Sequence, residues 1–186
     1  MKNTQKKLKA KHFRYLSKEH IKNPDSFLSE IVHQWGLNWS SNFNYLINSS
    51  LYPPMRIALD YNYGFIFMQM KQMIEIAFVI IEKCQIDPTS KDKLFQHLGK
   101  ETFEAEIEDQ IILPTKLLSD FCGYKSLKDW YEVTDNLLLA RDITDTEEAI
   151  LDFNVEYIAI RDLLVKLPQA LLHIHNKGGI QHYISK

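Results

Sequence analysis

Two stretches of this chain repeat one another in order and at a nearly constant offset. A duplicated chain has to fold so that two copies of one unit bury their apolar faces together. Pro24-Asp25-Ser26-Phe27-Leu28-Ser29-Glu30-Ile31 aligns with Pro114-Thr115-Lys116-Leu117-Leu118-Ser119-Asp120-Phe121 at a shift of 90. The same shift sets Phe13 on Phe103, Glu19 on Asp109, Ile21 on Ile111 and Leu37 on Leu127. Leu59-Asp60-Tyr61-Asn62 then aligns with Leu151-Asp152-Phe153-Asn154 at a shift of 92, followed by Phe65 on Tyr157, Ile66 on Ile158 and Met68 on Ile160. A two-residue loop difference accounts for the change. These matches predict one domain over residues 1–186, with repeat halves at about 1–88 and 89–186.

Helix signals recur at corresponding places. Asn23-Pro24 offers a cap followed by proline at the first helical position, where a missing N–H costs nothing, and Gly36 stops that helix. Pro114 to Gly123 repeats the plan. A second helix is expected from Asn38 in the first half and from Ser126 in the second, where Ser126 and Asp129 form a capping-box pattern. The third helix is long in both halves. One copy is expected from just after Pro53-Pro54 to about Cys84, the other from near Thr144 to about Asn176, ending at Gly178-Gly179, with Pro168 kinking it. Two further helices, near Ser90 to Leu98 and Thr102 to Leu113, join the halves. Leu59, Tyr63, Ile66, Met70, Met73, Ala77 and Ile80 form one stripe, and Phe65, Phe67, Phe78 and Ile81 widen it around the helix, which means central burial. The expected fold is all-α: a helical bundle of two pseudo-twofold-related three-helix halves, each with one long buried helix.

Composition agrees with that class. Gly and Pro number 6 each, too few for the tight turns of an all-β chain, while 45% apolar and 12% aromatic content argues against disorder. Cys84 and Cys122 lie far apart without metal-site or disulfide-framework spacing and read as reduced thiols. The basic N-terminus is not followed by an apolar run, so no secretory signal is expected. Gln69, Lys71, Gln72 and Glu75 interrupt the most hydrophobic stretch and would be costly in hydrocarbon. A soluble, cytoplasmic chain with no membrane association is the expectation.

Four polar residues retained in both copies, Asp60 and Asn62 with Asp152 and Asn154, are the first candidates for a cleft where the long helices meet. Their structural alternative is that the acids favour helix N-termini while each asparagine makes a buried hydrogen bond that fixes register. Glu30-Ile31-Val32-His33 has the Glu-x-x-His spacing of di-iron bundles, but its counterpart Asp120-Phe121-Cys122-Gly123 loses the histidine, so no metal and no cofactor is expected. Arg14 and His20 match the loose Arg-His spacing of HEPN-type helical ribonucleases, and are weak nuclease candidates. His173 and His175 stand two apart and point to different sides of a helix, which suits surface histidines better than chelation. Trp35, Trp39 and Trp130 serve either a dimer contact or the internal core.

Charge is unevenly placed. The first 22 residues hold eight Lys or Arg against one acid, and the matching part of the second half holds Glu101, Glu104, Glu106, Glu108 and Asp109. Lys2, Lys6, Lys7, Lys9, Lys11 and Arg14 could bind nucleic-acid phosphates, remain a solvated tail, or be neutralised by the acidic segment.

Tyr15 to Pro24 and the long helix around Met70 to Ile81 resemble segments of small helical Bacteroidetes proteins to which no function is attached. The resemblance covers about the first half and implies a helical fold, with no activity or site residue to carry over. The leading expectation is a non-enzymatic protein–protein interaction or scaffold module with a protein partner or a second copy of itself. The alternatives are a small hydrolase or HEPN-like ribonuclease, and nucleic-acid binding through the basic arm. If the arm is held on the body by charge, deleting residues 1 to 12 lowers the melting temperature and added salt shrinks the effect. An unchanged melting temperature counts against any such attachment.

Overall fold

The computed structural model describes residues 8–36, 39–51, 62–89, 113–142 and 155–184. Among them are seven α-helices and no strand: α1 (Lys18–Lys22), α2 (Pro24–Trp35), α3 (Trp39–Leu51), α4 (Tyr63–Cys84), α5 (Pro114–Tyr124), α6 (Leu127–Asp142) and α7 (Val155–Asn176). Short 3-10 turns at Ala10–His12 and Ile180–His182 flank them. The expected connecting helices over 90–112 and the start of the second long helix near Thr144 lie outside the described residues, as do Glu101 to Asp109.

α4 organises the bundle. It packs against every other helix among the described residues, most extensively against α6 and α5. Fifteen of its 22 residues are buried, on all sides of the helix, which only a central helix permits. Ile74, Ile76, Ala77 and Ile80 are fully enclosed, and each large side chain of this kind contributes roughly 1.5–3 kcal/mol. By length and composition α4 could cross a membrane, yet 78% of its most apolar window is packed inside the fold. Phe65 departs from the expected stripe and is exposed. α7, also 22 residues, packs on α5 and α3, and α3 packs on α6.

Local signals place the helix ends. Pro24 and Pro114 occupy first-turn positions of α2 and α5 without side-chain caps before them. Gly36 ends α2 at φ +66°, its N–H donating to Val32 O at 2.9 Å. The Ser126–Asp129 box forms as expected: Ser126 N donates to Asp129 Oδ2 at 3.2 Å and Asp129 N to Ser126 Oγ at 3.3 Å. α7 runs unbroken through Pro168 and closes at Gly178 and Gly179, at φ +95° and +88°, with Gly179 N donating to Ile174 O at 2.9 Å.

Two helix ends differ from the sequence reading. α4 begins at Tyr63, well after Pro54, because Asn62 caps it by accepting from Phe65 N at 3.1 Å. α5 continues through Gly123 to Tyr124, so this glycine is not a stop. Its role is space. The backbone of Thr89 crosses α5 so closely that a Cβ on Gly123 would lie 1.7 Å from Thr89 O. Ser119 secures the same crossing, accepting Thr89 N on its carbonyl at 3.0 Å and donating its hydroxyl to Asp87 O. Trp130, a candidate dimer contact, lies wholly in the core, stacked on Phe121 at 4.2 Å with Nε1 donating to Phe121 O at 3.1 Å. The side chains of Trp35 and Trp39 lie outside the described residues.

The Thr89 crossing makes Gly123→Ala a severe test of this packing. The added methyl has to displace backbone, and a loss of about 1–3 kcal/mol or more is expected by chemical denaturation. A variant as stable as the parent would show that residues 86–89 do not lie across α5.

Candidate functional site

Three of the polar residues that interrupt the α4 stripe, Lys71, Gln72 and Glu75, share one task, whereas Gln69 Nε2 donates to Gln34 Oε1 on α2 at 3.0 Å. Glu75 lies at the middle of α4, fully buried. Its Oε1 accepts Arg14 N at 2.6 Å and Tyr15 N at 3.0 Å, its Oε2 accepts Leu16 N at 2.7 Å, and the Tyr131 hydroxyl on α6 donates to Oε1. Three successive backbone amides thus form an anion nest around the carboxylate. A carboxylate buried without partners would cost several kcal/mol, so this arrangement persists only because both oxygens are hydrogen-bonded.

Neighbouring α4 residues extend the attachment. Glu82 Oε1 accepts Leu8 N at 2.6 Å, Gln72 Nε2 donates to Tyr15 O at 3.1 Å, and Lys83 Nζ donates to Lys22 O at 2.9 Å. Lys71 Nζ donates to Tyr15 Oη at 3.3 Å and to Asp135 on α6. Because Lys71 meets Asp135 and Glu75 meets Tyr131, α4 and α6 run antiparallel here. Phe13 and Leu16 anchor the segment in the core. Residues 8–22 therefore form a strap across α4, held largely through its own backbone.

The titrating groups reflect this enclosure. Burial, followed by the Glu75 carboxylate, holds the Tyr131 phenol protonated far above its ordinary range, while Arg14, its guanidinium carbon 5.5 Å from the ring centre, pulls the other way. Burial lowers the affinity of Lys71 for its proton, but Asp135 and Tyr15 together more than offset it, so Lys71 titrates above its ordinary value. Burial, with Glu156 adding to it, pushes Tyr124 up to about 12.

The sequence candidates fall elsewhere or apart. Asn62 is exposed and caps α4, so it makes no buried register-fixing bond; Asp60, Asp152 and Asn154 lie outside the described residues. Arg14 gives its amide to Glu75 and its guanidinium to Tyr131, whereas His20 Nε2 meets Glu30 at 3.1 Å and its ring stands edge-on to Phe27. The two nuclease candidates share no hydrogen bond or ring contact. Glu30 and His33 are both exposed, and burial raises the Cys122 thiol well above its usual range, which keeps it un-ionised. Among the described residues no group of three His, Cys, Asp or Glu side chains is placed to hold a metal ion. Lys9, Lys11 and Arg14 lie exposed on the strap; Lys2, Lys6 and Lys7 lie outside the described residues.

Sequence reasoning missed Glu75, Tyr131, Lys71 and Asp135 as a set. The signal was present in Glu75 and Lys71, since a charged residue inside an apolar helix requires a partner. Identifying the backbone of residues 14–16 as that partner needed the tertiary fold. No family model, curated protein or solved structure matches this chain.

The phenol supplies a pH test. An unfolded tyrosine ionises near 10 while folded Tyr131 stays protonated, so above about pH 10 the unfolded chain binds fewer protons. Stability is therefore full below about pH 10 and falls as pH rises, by up to about 1.4 kcal/mol per pH unit for each such group. Lys71 and Tyr124 act in the same direction. Tyr131→Phe should cost about 1–3 kcal/mol at neutral pH by leaving Glu75 short of a donor, and should flatten the alkaline fall in urea-denaturation midpoints. Equal stability and an unchanged alkaline limb would remove Tyr131 from the site.

Proposed function

We propose that this chain is a non-enzymatic helical interaction module, acting in the cytoplasm on a protein partner or a second copy of itself. The observation that carries the reading is the saturation of Glu75: its two oxygens accept four donors, all committed to holding the strap. The cluster that most resembles an acid–base site is thus occupied by structure. Several large apolar side chains remain outward, among them Leu139 and Ile158 at 61% exposure and Met68 at 39%. The antiparallel register of α4 on α6 puts Met68 and Leu139 at the same end of that helix pair. Apolar groups gathered there suit contact with another protein surface.

The duplicated, pseudo-twofold architecture belongs to the same reading. Two features support it. The two long helices end 92 residues apart, at Cys84 and Asn176, matching the offset between Asn62 and Asn154. Across the halves, α4 packs on α5 and α6 while α7 packs on α2 and α3, the exchange that a twofold relation requires. The symmetry is incomplete, because α7 also packs extensively on α5 whereas α4 makes far less of α2. Such a body offers two similar helical faces on which a scaffold can hold its partners.

Leu139→Asp tests the interaction. Being exposed, the site should tolerate the change within about 0.5 kcal/mol, while sedimentation and affinity capture should show loss of an association made by the parent chain. An association that survives the change, or RNA cleavage by the parent chain that Arg14→Ala or His20→Ala abolishes, would overturn the reading, the latter in favour of a HEPN-like nuclease.

A further inference from the structure

The strap that α4 holds also concentrates the positive charge of the chain. Residues 8–22 carry five Lys or Arg against Glu19 alone, whereas the rest of the chain carries 17 against 23 acids. The amides of Leu8, Arg14, Tyr15 and Leu16 turn inward to Glu82 and Glu75, and Lys9, Lys11, Arg14, Lys18 and Lys22 stand exposed on the outer side. None of the five forms an ion pair among the described residues.

The attachment points give this patch dimensions. Leu8 meets α4 at Glu82, Tyr15 meets it at Lys71 and Glu75, and Lys22 returns to Lys83, so the strap is a hairpin laid along the helix. From Lys71 to Lys83 a helix rises about 18 Å at 1.5 Å per residue. That span matches about five base pairs at 3.4 Å each. Five exposed cations on two limbs and an apex thus fall within a span of duplex that carries a similar number of phosphates per strand.

The rings of the strap argue against an unpaired strand. Phe13 is buried; Tyr15 stands edge-on to Tyr131 with Lys71 Nζ 5.1 Å from its centre; Tyr131 carries Arg14 over its face. Single-strand binding draws on free aromatic faces for stacking, and these are committed. We propose that the strap is a sequence-independent docking surface for the phosphate backbone of a nucleic-acid duplex, held in its binding form by Glu75. Fixing a backbone costs about 1–2 kcal/mol per residue, so a strap already ordered gives up less on binding than a loose basic tail.

Fluorescence anisotropy with a labelled DNA duplex of mixed sequence, about 20 base pairs long, at about 50 to 200 mM salt, tests this directly. The full chain should bind, with log K falling against log salt at a slope of about −4 or steeper for five neutralised phosphates. Lys9→Gln with Lys11→Gln, both at exposed positions, should make the slope shallower by about two. Glu75→Gln discriminates further, because it makes the protein more positive. A simple charge effect then predicts tighter binding, whereas an ordered strap predicts binding several-fold weaker, read beside a thermal melt that verifies folding. Absence of salt-dependent binding, a slope unchanged in the Lys9/Lys11 variant, or tighter binding by folded Glu75→Gln would each overturn the proposal. So would preference for the single strand, or for phosphatidylserine vesicles over the duplex. Should Glu75→Gln fail to fold, the lysine variant still decides.

Discussion

A carboxylate placed in the middle of a hydrophobic helix has to be satisfied, and the way Glu75 is satisfied shapes the rest of this molecule. Water cannot reach it, and among the described residues no cation pairs with it. Its charge is met by the dipoles of three consecutive amides and one phenol. To supply those amides the chain must bring residues 14–16 across the bundle to α4, some 60 positions away in sequence. To supply the phenol, α6 must lie antiparallel to α4 with Tyr131 opposite Glu75. One buried group therefore specifies both the path of the N-terminal segment and the register of a helix pair, in a core whose apolar contacts alone would tolerate sliding.

How far this was legible in the sequence follows from the range of each interaction. Caps and stops are local, so the Ser126–Asp129 box and Gly36 could be read from neighbouring residues. The buried stripe of α4 follows from helical periodicity, and Ile66, Met70, Met73, Ala77 and Ile80 are buried as that periodicity requires. Gly123 was misread because an end-of-helix glycine and a crossing-point glycine look identical until Thr89 is seen above it. Asn62 was misread for a similar reason: a polar residue beside an apolar run suits a buried bond or an exposed cap, and only the start of α4 at Tyr63 distinguishes them. The amides that Glu75 binds leave no sequence trace, since every non-proline residue has an N–H.

The packing of α4 on α5 and α6 and of α7 on α2 and α3 fits the pattern proposed from the sequence, yet α4 alone among the described helices carries the strap. Where α4 has Glu75, the offset of 92 places Leu167 in α7, an apolar residue that is also buried. The two positions thus share burial, while only the charged one recruits a further element. The basic side chains carried outward by that element separate a surface rich in positive charge from a body rich in acids.

Residue-resolved amide hydrogen exchange measures the central interaction most directly. If Glu75 holds the strap, the amides of Arg14, Tyr15 and Leu16 are protected in the parent chain. In Glu75→Gln they lose most of that protection, while the amides around Leu171 in α7 keep theirs. Free exchange of the three amides in the parent chain, or protection undiminished by the substitution, would contradict the account.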